Sequence, residues 1–404
     1  MQHDDIRTGG TPSGPLAGVR VLDFSSVIMG PYATQIFGDL GADVICIEDA
    51  KGDTNRIMGP SKVPGMSGIS LNLLRNKRNV CLDLKDPRGR DALLRIAATC
   101  DVAVTNLRPS SLERLGLTYD DLRAVKPDLV FCQAAGWPSD GPDADKPAYD
   151  DVIQANCGVA DTFSMQLGRP ALTPTLVADK VSGLHIAYAV MAALFHRERT
   201  GEGQRVEVPM IDALTSFTLV EHACAAVPEP PLGEPGYPRI IAPDRRPYRA
   251  ADGWMAVLPY SAANYDDVFR EGGREDLVGD ARTATASARV VNAASLYAEL
   301  EPIIERRSVA FWVAFCAEHD IPAAEVRSLS ALVAELPLAE HPLVGSYREI
   351  PPPVRFSATP ASVRRPAPML GQDGREVLAE VGVDADAIEE LVADDVLRHA
   401  DAAT

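Results

Sequence analysis

The sequence predicts an α/β protein built from a large Rossmann-like α/β domain and a smaller α+β domain. Three observations carry this. Strand-length apolar runs alternate with helix-length amphipathic segments from residue 19 to 135. A proline-rich stretch from Val227 to Pro238 is too rich in breakers for the interior of any element. Finally, 404 residues with 46% hydrophobic content exceed one ordinary domain and can fill two cores.

In order, residues 19–24 read as a buried strand, 30–40 as a helix and 41–47 as a second strand, lengths that suit a right-handed parallel crossover. The alternation continues with a strand at 79–84, a helix at 87–98, a strand at 101–107, short helices to Ala124 and a strand at 129–135. One helix is expected over 148–163. A longer one follows Asp179, where Leu184, Ala187, Tyr188, Met191, Leu194 and Phe195 recur at helical spacing, and it should end near Thr200 at Gly201 and Gly203. Beyond the linker, 247–258 reads as a hairpin turning at Asp252-Gly253, followed by helices at 293–306 and 308–318 and an amphipathic region at 371–397. The expected boundaries are a flexible tail at 1–15, the large domain at 16–226, a linker at 227–246, the small domain at 247–335 and a C-terminal segment at 336–404.

Bulk properties exclude several functions. A net charge of −18 argues against nucleic acid or an anionic membrane as partner. A polyanionic small ligand would need a local basic cluster, and Arg75-Asn76-Lys77-Arg78, with Arg88 and Arg90 beyond, is the one that stands out. The seven cysteines form no CxxC pair and lie mostly in apolar runs, which suits reduced thiols and a cytoplasmic protein. No signal-peptide pattern and no apolar run of about 18 residues is evident, so no membrane is expected. The histidines show no metal-ligand spacing, and no metal is expected. Ser25-Ser26-Val27-Ile28-Met29-Gly30-Pro31 follows the first strand where a dinucleotide-binding fold would carry GxGxxG, and neither GxSxG nor a Walker loop occurs.

Asp179 opens the long helix. Its ordinary role there is capping, because its oxygens can accept the unpaired amides of the first turn. The same place suits a nucleophile, since the positive end of the helix favours the ionised carboxylate. Capping and attack compete for the same oxygens.

The ordered run Ala178-Asp179, Gly183, His196-Arg197-Glu198-Arg199-Thr200-Gly201, Gly203-Gln204-Arg205-Val206-Glu207-Val208 and Met210-Ile211-Asp212-Ala213 resembles the core signature of the family III CoA-transferases, which include formyl-CoA and carnitine CoA-transferases and alpha-methylacyl-CoA racemase. The resemblance extends from Leu16 to about Leu391. It implies that Asp179 is catalytic, that no cofactor is bound permanently, and that coenzyme A and acyl-CoA are substrates together with a small carboxylic acid. It implies an interlocked homodimer, each chain a ring threaded by the other, with the C-terminal segment rejoining the first domain. Residues matching the family's coenzyme contacts are Ser26, Val27 and Ile28 after the first strand, Arg75, Lys77 and Arg78 in the basic cluster, Arg108 in Asn106-Leu107-Arg108-Pro109, Lys146, one residue from the family's lysine, and Tyr149. In the racemase branch a histidine stands where this chain has Tyr149, and a glutamate falls near Ser261. Glycines 233, 236, 272 and 273 are too dispersed to match the glycine-rich loop of some members. The expected activity is CoA transfer through aspartyl anhydride and aspartyl-CoA intermediates; an acyl-CoA racemase with Asp179 as base and a non-catalytic acyl-CoA-binding protein stay open beside it.

Overall fold

The computed structural model describes residues 14–398, so most of the expected N-terminal tail lies outside the described residues. The chain begins with β1 (Arg20–Asp23), α1 (Met29–Asp39), β2 (Asp43–Glu48), α2 (Gly68–Leu73), β3 (Lys77–Leu82), α3 (Pro87–Ala97), β4 (Val102–Thr105), α4 (Pro109–Leu115), α5 (Tyr119–Val125) and β5 (Val130–Gln133). It continues through α6 (Asp150–Asn156), α7 (Val159–Leu167), α8 (Val177–Thr200), β6 (Arg205–Glu207) and α9 (Met210–His222). The six strands pair in parallel in the order β3-β2-β1-β4-β5-β6. β3, β4 and β5 are buried along their whole length, as expected of strands covered on both faces. Leu22, Ile45, Val80 and Phe131 of the sheet meet Leu93 and Ile96 of α3 in one core. Local signals start the helices: Asp86 caps α3 with Pro87 behind it, and Thr118 and Asp121 form a reciprocal capping box on α5.

The single helix expected over 148–163 is two helices, because Gly158 takes a left-handed φ of 91° between α6 and α7. That break is also a boundary. The chain divides into two compact units, and the second comprises Gly158–Thr173 and Ser216–Glu335, so α7 and most of α9 belong to it rather than to the first.

The second unit adds α10 (Pro238–Ile241), β7 (Tyr248–Arg249), β8 (Trp254–Val257), α11 (Ala262–Glu271), α12 (Ala286–Val291), α13 (Ala293–Ile304), α14 (Val309–Glu318), β9 (Ala323–Glu325) and α15 (Leu329–Glu335). β7, β8 and β9 form an antiparallel sheet. Val268, Phe269, Leu296, Leu300 and Trp312 fill its core, and the buried Trp312 indole donates to the Ile304 carbonyl at 2.8 Å. From Leu336 the chain belongs to the first unit again. It forms a hairpin of β10 (Leu338–His341) and β11 (Gly345–Arg348), then α16 (Gly374–Glu380), α17 (Ala385–Ala393) and β12 (Leu397–Arg398), which pairs antiparallel with the outer edge of β3. Among the described residues none of the seven cysteines forms a disulfide, and six of them are buried.

Candidate active site

The parallel strands run outward in sequence order from β1 on one side and from β4 on the other, so the chain order reverses between these two strands. In open α/β sheets ligands settle at the carboxyl ends of the strands at such a switch point. The turns leaving β1 and β4 are tied together there. The Ser26 amide donates to Asn106 Oδ1 at 2.9 Å, and Asn106 Nδ2 donates to the Ser26 carbonyl at 2.8 Å. Next to it Val27 has a φ of 69°, an unfavourable conformation for a β-branched residue. Its amide is held by the Asp53 carboxylate at 2.9 and 3.1 Å. Backbone strain of this kind persists only where the surroundings enforce it, and it concentrates at functional turns.

α8 brings Asp179 to the same edge. Arg197, in its last turn, donates to Asp101 at 3.0 Å, and Asp101 precedes β4, so the far end of α8 lies at the amino edge of the sheet. Gly183 lies so close to α1 that an added Cβ would stand 2.9 Å from the Met29 carbonyl and from the Tyr32 ring. Asp179 is one helical turn before Gly183, on the same face and towards the carboxyl edge, where the turn from Ser26 to Ile28 opens α1.

Asp179 does not cap its helix. The Val177 amide donates to the Thr175 carbonyl at 2.7 Å, the Ala178 and Asp179 amides donate to Asp150 Oδ1 at 2.6 and 3.1 Å, and the Lys180 amide donates to the Leu176 carbonyl at 3.3 Å. Every orphan donor of the first turn therefore has a partner other than the Asp179 carboxylate. Asp150, at the start of α6, is buried at 3% exposure, and its other oxygen accepts from Gln154 Nε2 at 2.5 Å. It caps α8 rather than its own helix. Asp179 keeps its oxygens available, half-buried beside a second carboxylate. Burial first, and the Asp150 charge second, push the Asp179 carboxyl up to about 7, against a partial opposing effect of Lys180.

The structure corrects the basic cluster. Arg75, Lys77 and Arg78 hold the fold together and are not available to a phosphate. Lys77 is fully buried, and its ammonium donates to Asp23 at 3.0 Å, Thr34 at 2.7 Å and the Pro31 carbonyl at 3.0 Å, which uses all three of its protons. Arg75 pairs with Asp39 at 2.6 Å and donates to the Ile350 carbonyl. Arg78 bridges Asp43 at 2.6 Å and Glu380 at 2.7 Å. The cluster also lies at the amino end of β3, and parallel strands bind ligands at their opposite ends.

The remaining candidates do gather at the carboxyl edge. Exposed Arg108, just beyond β4, donates to the Asp145 carbonyl at 2.9 Å; Lys146 pairs with Asp143 at 2.5 Å; and Tyr149, 69% exposed, immediately precedes Asp150. Two adjoining cavities of about 580 and 620 Å³ open along this edge and share Leu84, Lys85 and Leu115. The smaller reaches Ser26 and Lys51, while the larger carries Lys85, Arg90 and Arg114. Among the described ion pairs none uses Lys51, Lys85, Arg90 or Arg114. Lys51, Lys85 and Arg114 are absent from the expected site. A signal for Lys51 and Lys85 existed, since each stands three positions after the last residue of its strand, β2 and β3, as Arg108 does after β4; Arg114, within α4, carries no such signal.

Known proteins resemble this chain in sequence and overall fold. The family model for CoA-transferase family III matches residues 16–374. The chain belongs to that family. Among its relatives in family III are a probable fatty acyl-CoA transferase, Rv3272, of Mycobacterium tuberculosis, 32% identical over 91% of this chain and 98% of the relative, and the mouse succinyl-CoA:glutarate CoA-transferase, 30% identical over 95% and 91%. The formyl-CoA:oxalate CoA-transferase of Escherichia coli O157:H7 is 29% identical over 93% and 98%. A CAIB/BAIF family protein from Brucella suis superposes with a TM-score of 0.77 at 27% identity, covering 91% of this chain and all of that one. The orthorhombic crystal form of Rv3272 gives 0.75 at 30% identity over 90% and 98%. The protein is thus a CoA-transferase with the family III fold.

Proposed function

We propose that Asp179 is the nucleophile that carries coenzyme A from a donor acyl-CoA to an acceptor acid. The observation that carries this is the transfer of the capping role to Asp150, which leaves a half-buried carboxylate free at a helix start. In the first step an Asp179 oxygen attacks the thioester carbonyl; the C–S bond breaks, giving a mixed anhydride and the CoA thiolate. The thiolate then attacks the Asp179 carboxyl carbon, the anhydride C–O bond breaks, and the donor acid leaves as its carboxylate. An acceptor carboxylate reverses both steps and regenerates Asp179. Atoms and charge balance with no oxidant and no net proton. The site has to align the partners and keep water out while Asp179 is acylated.

The cations at the carboxyl edge favour a phosphate-bearing ligand with its charged end near Lys85, Arg90 and Arg114 and its thiol end towards Ser26 and Asp179. Transfer fits the edge better than racemisation, which needs an acid and a base on opposite faces of the α-carbon. Tyr149 and Ser261 stand where that branch has a histidine and a glutamate, and a phenol and an alcohol are poorer proton shuttles than an imidazole and a carboxyl group. The relatives range from a probable fatty acyl-CoA transferase to succinyl-CoA:glutarate and formyl-CoA:oxalate CoA-transferases, so the acid pair is a separate question.

Incubating the protein with an acyl-CoA and a second acid should yield a new thioester, and hydroxylamine should trap an adduct on Asp179. Asp179→Ala should abolish both while remaining folded; full transfer by this variant would sink the proposal.

The same reading includes a homodimer. α8 has the length and mean hydropathy, 1.2, of a membrane-crossing helix, yet Ser182, Gly183, Ile186, Ala187 and Val190 bury one face of it. Leu184, Tyr188 and Phe195, 51%, 58% and 64% exposed, form a stripe on another face that a second copy would cover. Sedimentation should give a dimer, and Tyr188→Asp should weaken it; a monomeric parent protein would refute this part.

A further inference from the structure

We propose that Asp53 is a positioning residue for the transfer reaction: its buried carboxylate holds Val27 in the left-handed conformation and so fixes the turn between β1 and α1 beside Asp179. That this turn serves transfer rests on the transferase reading. The hold on Val27 does not.

Of the five described residues other than glycine with a positive φ, Val27 is the one with a β-branched side chain, for which a φ of 69° is least favourable. Such a conformation persists only where its surroundings over-determine it. Asn106 ties Ser26 through both its amide and its carbonyl. A different segment ties Val27 in the same way: the amide donates to both oxygens of Asp53, at 2.9 and 3.1 Å, and the carbonyl accepts from Asn55 Nδ2 at 3.4 Å. The tie to Asp53 is the stronger of the two, because its acceptor is charged and both oxygens take part.

Asp53 is itself buried and braced. Its amide donates to Glu48 Oε2 at 2.6 Å. Glu48, the last residue of β2, is buried and accepts from Arg56 Nε at 2.8 Å, Arg56 Nη2 at 2.7 Å and Asn79 Nδ2 at 2.6 Å. Arg56 also donates to the Pro368 carbonyl at 3.1 Å. The Glu48–Arg56 pair thus anchors Asp53 to β2, to β3 and to the C-terminal segment, all within the first unit. Asp53 and Ser26 both line the smaller cavity, so the turn that Asp53 fixes is part of the wall of the candidate coenzyme site.

An amide side chain cannot repeat this hold. Asp53 Oδ1 also accepts from the Asn55 amide at 2.8 Å, so two oxygens serve two backbone donors. Asparagine has one oxygen and sets an N–H donor in place of the other, leaving the Val27 or the Asn55 amide opposed by a donor. A valine released in this way relaxes towards negative φ. Glycine at the same position has no such bias, because it populates positive φ about as readily as negative.

The test is to compare Asp53→Asn, Val27→Gly and the double variant. Asp53→Asn should lower kcat by about tenfold or more and raise KM for the acyl-CoA by less than about threefold, because the turn shifts against Asp179 while the cationic edge is untouched. Added to Val27→Gly, whatever that change does alone, Asp53→Asn should lower kcat by no more than about twofold. Equal losses in the two backgrounds, or a kcat that ignores Asp53, would overturn the proposal. If Asp53→Asn fails to fold, deuterium exchange in the parent protein decides: the Val27 amide should exchange at least about a hundredfold more slowly than a free peptide amide, and exchange at the free rate would refute the hold. A slow Val27 amide in a protein that transfers CoA to no acid would remove the transferase and leave the hold. Transfer indifferent to Asp53 would do the reverse.

Discussion

Asp150 determines what Asp179 can do. By accepting the Ala178 and Asp179 amides it takes over the cap, and by placing a negative charge beside Asp179 it helps hold that carboxyl near 7. Attack requires the ionised form, so the rate of acyl-enzyme formation should rise with pH through about 7. Asp150→Asn keeps an oxygen for the cap and removes the charge. A neutral neighbour no longer disfavours ionised Asp179, so the acid limb of the pH–rate profile should move to lower pH. It should stay above the reference value of about 3.9, because burial, the larger cause, remains. An unmoved limb in a folded Asp150→Asn would reduce Asp150 to a cap alone. Asp179 itself was legible as a helix-start aspartate, but its freedom from capping was not. The residue that frees it stands 29 positions earlier in the chain, and no local pattern records that pairing.

Among the elements, α8 is the one whose placement fixes the site. Gly183 makes that placement close, and a side chain there meets backbone on one side and an aromatic ring on the other. Gly183→Val should therefore destabilise the protein by about 1–3 kcal/mol through overpacking, as read by urea denaturation. It should also lower kcat more than it raises KM for the acyl-CoA, because the shift displaces Asp179 from the turn carrying Ser26 and Val27 while the cationic edge stays in place. Equal effects on kcat and KM would show that the contact matters for folding alone. The helix was readable from its apolar spacing and its glycine stop. The break at Gly158 has no local signature, since an isolated glycine within an apolar run can either sit in a helix or end one.

For the whole molecule, the parallel sheet sorts the cations into two groups with different roles. Those at and just before the start of β3 are bound into ion pairs, whereas Lys51 and Lys85, which follow β2 and β3, line the cavities with Arg90 and Arg114. Lys85→Gln combined with Arg114→Gln should raise KM for the acyl-CoA by about tenfold or more, roughly the loss of one charge-assisted hydrogen bond. The effect should shrink at high salt, and KM for the acceptor acid should hardly move. If the acid's KM rose in parallel, the cavities would not be the coenzyme site.

By itself the sequence determined the α/β class, the alternation of strands and helices, the hairpin at Asp252-Gly253 and the position of Asp179 at a helix start. Each of these is written in residues within one or two turns of one another. Only the tertiary structure decided which charges are free. Lys77 looks like a phosphate ligand until Asp23, 54 residues away, is placed beside its ammonium, and Arg78 until Glu380, 302 residues away, closes on its guanidinium. The final strand joins β3 in the same way, from the other end of the chain. A charge is a property of one residue, whereas its neutralisation is a property of whichever residue the fold brings to it, so composition and spacing could locate the cations without showing which of them remain free to bind.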